Sequence, residues 1–307
     1  MNLILGADSM LGKQVSHMLP DVVNISHKYY DLIDFESCKD AFDAISFSAH
    51  KTVYNFCGYN GGVQFNLKYP SEIYYRTAQI NLNVLRCCHL FRVDKVVSVI
   101  ASCAYPDFGD KVLSEEDINN GEPNPTVECH GYAKRTLLHY GRQLYKEYGI
   151  KAISAVLTNC YGPGDRFDVE RTKVAGAVIK KLCDAKIFNL PSVTFFGSGK
   201  PLREIMFCRD AAKALIEVEK TYDDAMTPIN IGSDQEIAIL DLVYMVARLV
   251  DYKGEIVWDV TKTDGQMRKK LDTTKMREFI KFEMTPLEEG LKETIKYYMD
   301  VGRYLTR

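Results

Sequence analysis

Asn2-Leu3-Ile4-Leu5, followed at once by Gly6-Ala7-Asp8-Ser9-Met10-Leu11-Gly12, is the stretch on which the fold turns. The apolar run has the length of a buried parallel strand. A helical pattern follows through Leu19. The spacing is G-x-x-S-x-x-G. Gly6 permits a tight turn, Gly12 lets the helix pack close to the strand, and the helix N-terminus is then free to hold a pyrophosphate. Gly6, Ser9, Met10, Leu11 and Gly12 are therefore the first candidate cofactor contacts. Ser9 stands where glycine is usual, so a plain strand-turn-helix is the alternative. Val22-Val23-Asn24-Ile25 reads as a second strand, and it closes on Ser26, His27 and Lys28 rather than on Asp or Glu. An acid there grips the ribose 2′-hydroxyl of NAD, whereas hydroxyl and positive groups suit a 2′-phosphate. This favours NADP(H), with His27 and Lys28 as contacts. A solvated strand end is the plainer reading of the same residues.

Outward from this unit, apolar strands alternate with helical patterns. Strands are expected at Thr52–Phe56, Lys95–Ile100 and Ala152–Leu157, and helices near Ser71–Phe91 and His130–Tyr148. That alternation implies a parallel sheet. Asp107–Glu128, rich in Asp, Glu, Asn, Gly and Pro, reads as a loop over the sheet edge. Beyond Tyr161-Gly162-Pro163-Gly164 the pattern loosens. Helices are expected at Thr172–Asp184, Asp210–Lys220, Ile239–Val250 and Leu287–Tyr298, with short strands at Thr194–Phe196, Pro228–Ile231 and Glu255–Trp258. At 307 residues the chain is long enough for about two domains or one large α/β unit with an added lobe.

Composition narrows the class. Hydrophobic residues make up 46% and charged residues 26%, which is ordinary for a globular protein. Lys plus Arg total 39 against 41 for Asp plus Glu, a net charge of −2, so the basic surplus of a nucleic-acid binder is missing. No apolar run reaches the ~18 residues of a membrane span. The nine cysteines are odd in number, two are adjacent (Cys87 and Cys88), and several lie in apolar runs. Reduced thiols and a cytoplasmic location are the expectation. No Cys-x-x-Cys pair or His/Cys cluster points to a metal.

Five further stretches carry a resemblance. They are Val53-Tyr54-Asn55-Phe56-Cys57-Gly58 leading to Gly61-Gly62-Val63; Ala101-Ser102-Cys103-Ala104-Tyr105-Pro106; Thr158-Asn159-Cys160-Tyr161-Gly162-Pro163-Gly164-Asp165; Gly197-Ser198-Gly199 with Arg203-Glu204; and Asp264-Gly265 with Arg268-Lys269-Lys270-Leu271-Asp272. In this order and spacing the chain resembles the extended short-chain dehydrogenases that act on nucleotide sugars, and within them the GDP-L-fucose synthase group. The resemblance implies an α/β fold: a Rossmann doubly wound parallel sheet with a smaller, interleaved C-terminal substrate lobe. Residues 1–165, with 208–232 returning, would bind NADP(H); 166–207 and 233–307 would bind a GDP-sugar. It also implies a homodimer through a four-helix contact, which the apolar Leu82, Leu85, Leu90 and Phe91 allow. Cys57 and Gly58 join the cofactor contacts. Asn159, Lys173, Val174, Arg203, Arg268 and Lys269 fall at substrate positions, though Lys173, Arg268 and Lys269 also read as solvated cations.

The family's catalytic set is altered here. Its Ser falls on Ala101, with Ser102 beside it; its Cys is kept as Cys103; its Lys is Lys134. The Tyr four residues before that Lys is His130, and the substrate-lobe His is Lys173. Tyr132 does not restore the tyrosine. Residues four apart share a helix face, whereas residues two apart are rotated by about 200°. His130 therefore inherits the place beside the reacting carbonyl. Next to an ammonium it is expected to act as a neutral N–H donor, or to pass on a proton from water. Losing the Ser hydroxyl removes a polarising donor of a kind worth ~3 kcal/mol in comparable sites. A lysine is usually too basic to be the acid of C3/C5 epimerisation. The expectation is NADPH-dependent reduction of the C4 ketone of a GDP-linked 4-keto sugar or heptose with little epimerisation, as in relatives serving bacterial surface polysaccharides. An epimerase or dehydrogenase with tightly held cofactor, and a non-catalytic nucleotide-binding protein, remain open alternatives.

Overall fold

The computed structural model describes residues 1–168, 171–262, 264, 266–301 and 304. Six strands form one parallel sheet: β1 (Asn2–Leu5), β2 (Val22–Ile25), β3 (Thr52–Asn55), β4 (Lys95–Ala101), β5 (Lys151–Leu157) and, later in the chain, β9 (Ile229–Ile231). Their spatial order is β2-β1-β3-β4-β5-β9. Helices cover both faces, which is why these strands read as continuous apolar runs rather than alternating ones. The crossovers are α1 (Met10–Met18), α2 (Phe35–Asp43), the pair α3 (Val63–Lys68) and α4 (Pro70–Leu90), and α5 (Glu128–Tyr148).

Strand order reverses between β1 and β3. The crevice at their carboxyl ends is the place where open α/β sheets bind ligands. Here that crevice is bordered by the Gly6 turn and by Cys57-Gly58. The two turns touch: a methyl on Gly6 would stand 3.4 Å from the Cys57 Sγ.

The remaining elements are α6 (Val174–Ile187), β6 (Asn159–Tyr161), β7 (Ser192–Phe196), β8 (Leu202–Phe207), α7 (Cys208–Thr221), β10 (Glu236–Ala238), α8 (Ile239–Leu249), β11 (Glu255–Asp259), β12 (Arg268–Lys269), α9 (Thr274–Phe279) and α10 (Leu287–Asp300). β8 takes β10 antiparallel and both β12 and β6 parallel, while β7 pairs with β11. Glu204, fully buried on β8, fastens this second sheet. Its two carboxylate oxygens accept from the Asp234 and Leu271 amides at 2.9 and 3.1 Å. Asp264 in turn accepts from the Ser198 amide and hydroxyl at 2.6 and 2.8 Å, which ties the Gly197-Ser198-Gly199 turn to the segment before β12. Gly265 of the same motif lies outside the described residues.

Several sequence expectations need adjusting. The helix expected from Thr172 starts at Val174, with Lys173 as its N-cap. The loop Asp107–Glu128 contains a 3-10 turn, Glu115–Asn119. α2, α3, β6, β8, β10, β12 and α9 were not anticipated. Leu85 is core and Phe91 packs against it, so neither is free for a partner, whereas Leu82, Leu90, Tyr74 and Tyr75 are exposed. Among the described residues no helix is long and apolar enough to cross a membrane.

The two ends of this framework differ in how much they tolerate a methyl. At Gly12 an added Cβ would meet the Gly6 carbonyl oxygen at 2.3 Å, and backbone cannot yield cheaply. At Gly149, the left-handed C-cap of α5, nothing lies within 4 Å. Urea denaturation at constant m should show Gly149→Ala losing about 1 kcal/mol, the left-handed strain alone. Gly12→Ala should lose up to about 3 kcal/mol, as overpacking does. Equal losses would contradict the close approach.

Candidate active site

α5 carries the centre of the site. His130 and Lys134, one turn apart, are both buried, at 3% and 4% exposure. Between them on the chain, Gly131 lets the 3-10 turn Ser102–Ala104 lie directly on the helix. A methyl there would stand 2.6 Å from the Cys103 carbonyl oxygen and 2.9 Å from Pro123. That approach brings the Cys103 Sγ to 3.3 Å from His130 Nδ1. The Lys134 Nζ donates to the Cys57 carbonyl oxygen at 2.6 Å. Gly58 closes the group from the β3 side: a methyl on it would stand 3.3 Å from Lys134 Cε and 3.7 Å from His130 Nε2. Tyr132 points elsewhere. Its ring lies under the Arg135 guanidinium and borders an outer groove with Tyr74, Leu82 and His139.

Electrostatics follow from burial and from three converging ammonium groups. Burial, and then Lys134, Lys173 and Lys269, push the His130 imidazolium down to about 3, so the ring is neutral at ordinary pH. Burial pushes Lys134 down to about 8, partly countered by Cys57 and Cys103. Burial raises the Cys103 thiol, while Lys269, Lys173 and Lys134 oppose it. The thiol therefore keeps its proton near neutral pH. Lys269 on β12 is held down by burial, and it pairs in register with Arg203 on β8, whose guanidinium is lowered for the same reason.

The other expected residues separate into two groups. Ser9 caps α1, its hydroxyl accepting from the Gly12 amide at 3.0 Å, so the first-turn amides of Met10 and Leu11 keep no partner inside the helix. With Gly6 at φ +78° and Gly58 open in front of Lys134, this cradle fits a dinucleotide. Asn159 begins β6 and Val174 begins α6. Ser102 is buried on its turn, but Cys103, not Ser102, meets the imidazole. Arg268 is engaged in a two-pronged pair with Glu236 at 2.8 and 2.6 Å and donates to the Asp110 carbonyl, which leaves its guanidinium less free than expected.

Two features were not anticipated. His27 and Lys28 are exposed at the end of β2, yet that end does hold a carboxylate. Asp8, from the glycine turn, accepts a hydrogen bond from the Ser26 hydroxyl and lies 3.8 Å from His27 Nδ1. Asp165, in the Gly-Pro-Gly-Asp turn, is pushed up to about 6 by burial, with Lys173 opposing. Its Oδ2 finds no partner among the described residues. A cavity of about 1040 Å³ opens at the opposite end of the sheet among His50, Lys51, His89 and Arg92, and none of the site residues lines it.

Residues 2–232 match the NAD dependent epimerase/dehydratase family. Among curated proteins, a GDP-L-fucose synthase of Dictyostelium discoideum is 30% identical over 97% of this chain and 95% of that protein. A GDP-L-fucose synthetase of Naegleria fowleri, solved bound to NADP, superposes with TM-score 0.89 at 28% identity, covering 99% of this chain and 93% of that one. A GDP-6-OMe-4-keto-L-xylo-heptose reductase from C. jejuni shares the fold with TM-score 0.89 at 22% identity, over 97% of each chain.

A buried neutral histidine makes stability depend on pH. The unfolded chain's imidazole takes a proton near its ordinary 6.5, and the folded one refuses it until about 3. Stability should therefore be lost as pH falls from 6.5 towards 3, by at most about 1.4 kcal/mol per pH unit. Urea denaturation across that range should show a shallower slope for His130→Gln, and nitrogen-15 NMR should show the His130 ring neutral at pH 5. An unchanged slope, or a ring titrating near 6.5, would contradict its burial.

Proposed function

The chain belongs to the NAD dependent epimerase/dehydratase family, and on that premise we propose that it reduces the C4 ketone of a GDP-linked 4-keto sugar with NADPH and epimerises little. The observation that carries the reading is the meeting of His130, Lys134 and Cys103 beside Gly58, at the carboxyl ends of β3 and β4. The cofactor, when bound, supplies the hydride. Lys134, anchored on the Cys57 carbonyl, holds the nicotinamide ribose. His130 presents Nε2–H to the ketone oxygen and donates the proton there. The buried pocket excludes water from both. Residues 1–165 with 208–232 hold the cofactor. Residues 166–207 and 233–307 hold the GDP-sugar, with Arg203, Lys269 and Lys173 meeting its diphosphate, a task suited to forked and point cations. On this reading the protein serves bacterial surface-polysaccharide biosynthesis and works in the cytoplasm. Its dimer face is the exposed stripe Tyr74, Tyr75, Leu82 and Leu90 on α4.

Low epimerase activity is supported by the same groups. Epimerisation needs a base that removes a carbon-bound proton at C3 and C5. A thiol raised by burial holds its own proton instead. Lys173, at the position of the family's acid, offers an ammonium on an exposed N-cap.

A second reading concerns the cofactor alone. Asp8, bonded to Ser26 at the end of β2, would bring a carboxylate near the ribose 2′ position of a bound dinucleotide and so favour NADH over NADPH. Ser26, His27 and Lys28 favour the 2′-phosphate.

With NADPH and a GDP-4-keto-6-deoxy sugar, nicotinamide absorbance should fall in proportion to substrate, and product formed in D2O should carry no deuterium at C3 or C5. His130→Ala and Lys134→Ala should each lower kcat by roughly 10²–10⁴-fold. Full turnover in both variants would overturn the assignment, and deuterium at C3 and C5 would overturn the epimerase reading. In the same assay Asp8→Asn should raise kcat/KM for NADPH relative to NADH; an unchanged ratio would remove Asp8 from cofactor choice.

A further inference from the structure

A neutral imidazole that gives away its only N–H proton becomes imidazolate, an anion that is costly inside a protein. An imidazolium donor avoids this, but the His130 ring is not protonated at working pH, because burial and the facing charges of Lys134 on its own helix, Lys173 at the start of α6 and Lys269 on β12 all oppose it. Proton donation from His130 therefore needs a second proton delivered to the ring's other nitrogen. Among the described residues the Cys103 thiol is a source in contact with that nitrogen. The Cys103 Sγ lies 3.3 Å from Nδ1, held there by the close approach of its turn to Gly131. The other nitrogen, Nε2, faces Gly58 and the crevice.

We propose that Cys103 and His130 form a proton relay in which the thiol hydrogen bond to Nδ1 fixes the proton on Nε2 and the thiol proton follows as Nε2 donates. The inference rests on the C4-reductase reading above and goes beyond it in giving the retained cysteine a part in reduction rather than in epimerisation. The bound nicotinamide cofactor would supply the hydride for the new C4–H bond, with the carbonyl π pair passing to oxygen. The Nε2–H bond breaks as the O4–H bond forms. The S–H bond breaks as the Nδ1–H bond forms. The ring ends neutral in its other tautomer, the ketone is reduced, the nicotinamide is oxidised, and the negative charge rests on the Cys103 sulfur. The positive charges of Lys269, Lys173 and Lys134 act on that sulfur electrostatically. They oppose burial and stabilise the thiolate until solvent returns a proton after product leaves. Cys103 does not touch the reacting atoms in this scheme; it positions the ring and supplies the ring's replacement proton.

The relay has a signature that a packing role lacks, and part of it is visible without any ligand. Nitrogen-15 NMR of the free protein should show His130 as the Nε2–H tautomer, with Nδ1 accepting. In Cys103→Ala the Nδ1–H tautomer should appear. In turnover with NADPH and the GDP-4-keto sugar, Cys103→Ala should lower kcat by roughly 10²-fold with KM for the sugar within about threefold. Cys103→Ser, which restores a hydroxyl donor, should recover part of kcat. The proton inventory of kcat in H2O/D2O mixtures should be curved for the wild type, two protons moving together, and linear for Cys103→Ala. Unchanged NADPH binding reports that the variant is folded. An Nδ1–H tautomer in the wild type, or a Cys103→Ala enzyme with undiminished kcat and the same curved inventory, would overturn the relay while leaving the reductase reading standing. A wild type that consumes no NADPH with the sugar would overturn the reductase reading and the relay with it, whatever the tautomer.

Discussion

The hydrogen bond between the half-buried Cys103 thiol and the buried His130 imidazole is the contact on which the site depends. It exists because Gly131 has no side chain, so that the turn after β4 rests on α5 at backbone distance. One helical turn further on, Lys134 reaches the Cys57 carbonyl after β3. A single helix face thus gathers groups from two loops at the carboxyl ends of adjacent strands. The packing that makes this possible also desolvates every member. A ring that water would protonate near 6.5 stays neutral, and burial raises the thiol against the pull of the neighbouring cations.

Charge in the site bears little relation to charge on the chain. The protein as a whole carries −2, yet Lys134, Lys173 and Lys269 all act on the same imidazole. Local fields, not net charge, set what a crevice attracts and what it disfavours. Such a crevice suits an anionic nucleotide ligand. The carboxylates nearby have other tasks: Glu204 and Asp264 fasten backbone amides, and Asp8 is bonded to Ser26 at the far end of the cofactor groove.

Much of this was legible in the sequence. The strand–glycine turn–helix at Asn2–Leu19 and the four-residue spacing of His130 and Lys134 are local signals, and local signals survive folding. The rotation of Tyr132 away from the site followed from helix geometry alone. What escaped was non-local. Asp8 reads as a loop residue until the end of β2 is folded beside it. Glu204 reads only as the neighbour of Arg203 in a motif, and nothing around it announces that its carboxylate is fully buried. Arg268 looks free because Glu236, its partner, lies far away in the chain. β10 and β12 are three and two residues long, too short for periodicity to mark. α2 was missed although Asp34 caps it and Cys38, Ala41 and Phe42 form its buried stripe. The contact of Cys103 with His130 was not read either. The resemblance puts the two in one catalytic set, but their hydrogen bond arises from a glycine whose significance only packing reveals.

The central claim is that an imidazole stands where a tyrosine hydroxyl is expected and presents Nε2 to the reacting oxygen. A crystal structure with oxidised cofactor and a GDP-sugar carrying the C4 hydroxyl tests this most directly. His130 Nε2 should lie within hydrogen-bond reach of the C4 oxygen, about 2.6–3.2 Å, with Nδ1 still on the Cys103 sulfur. A C4 oxygen met by Tyr132, or by any group other than His130, would contradict the account.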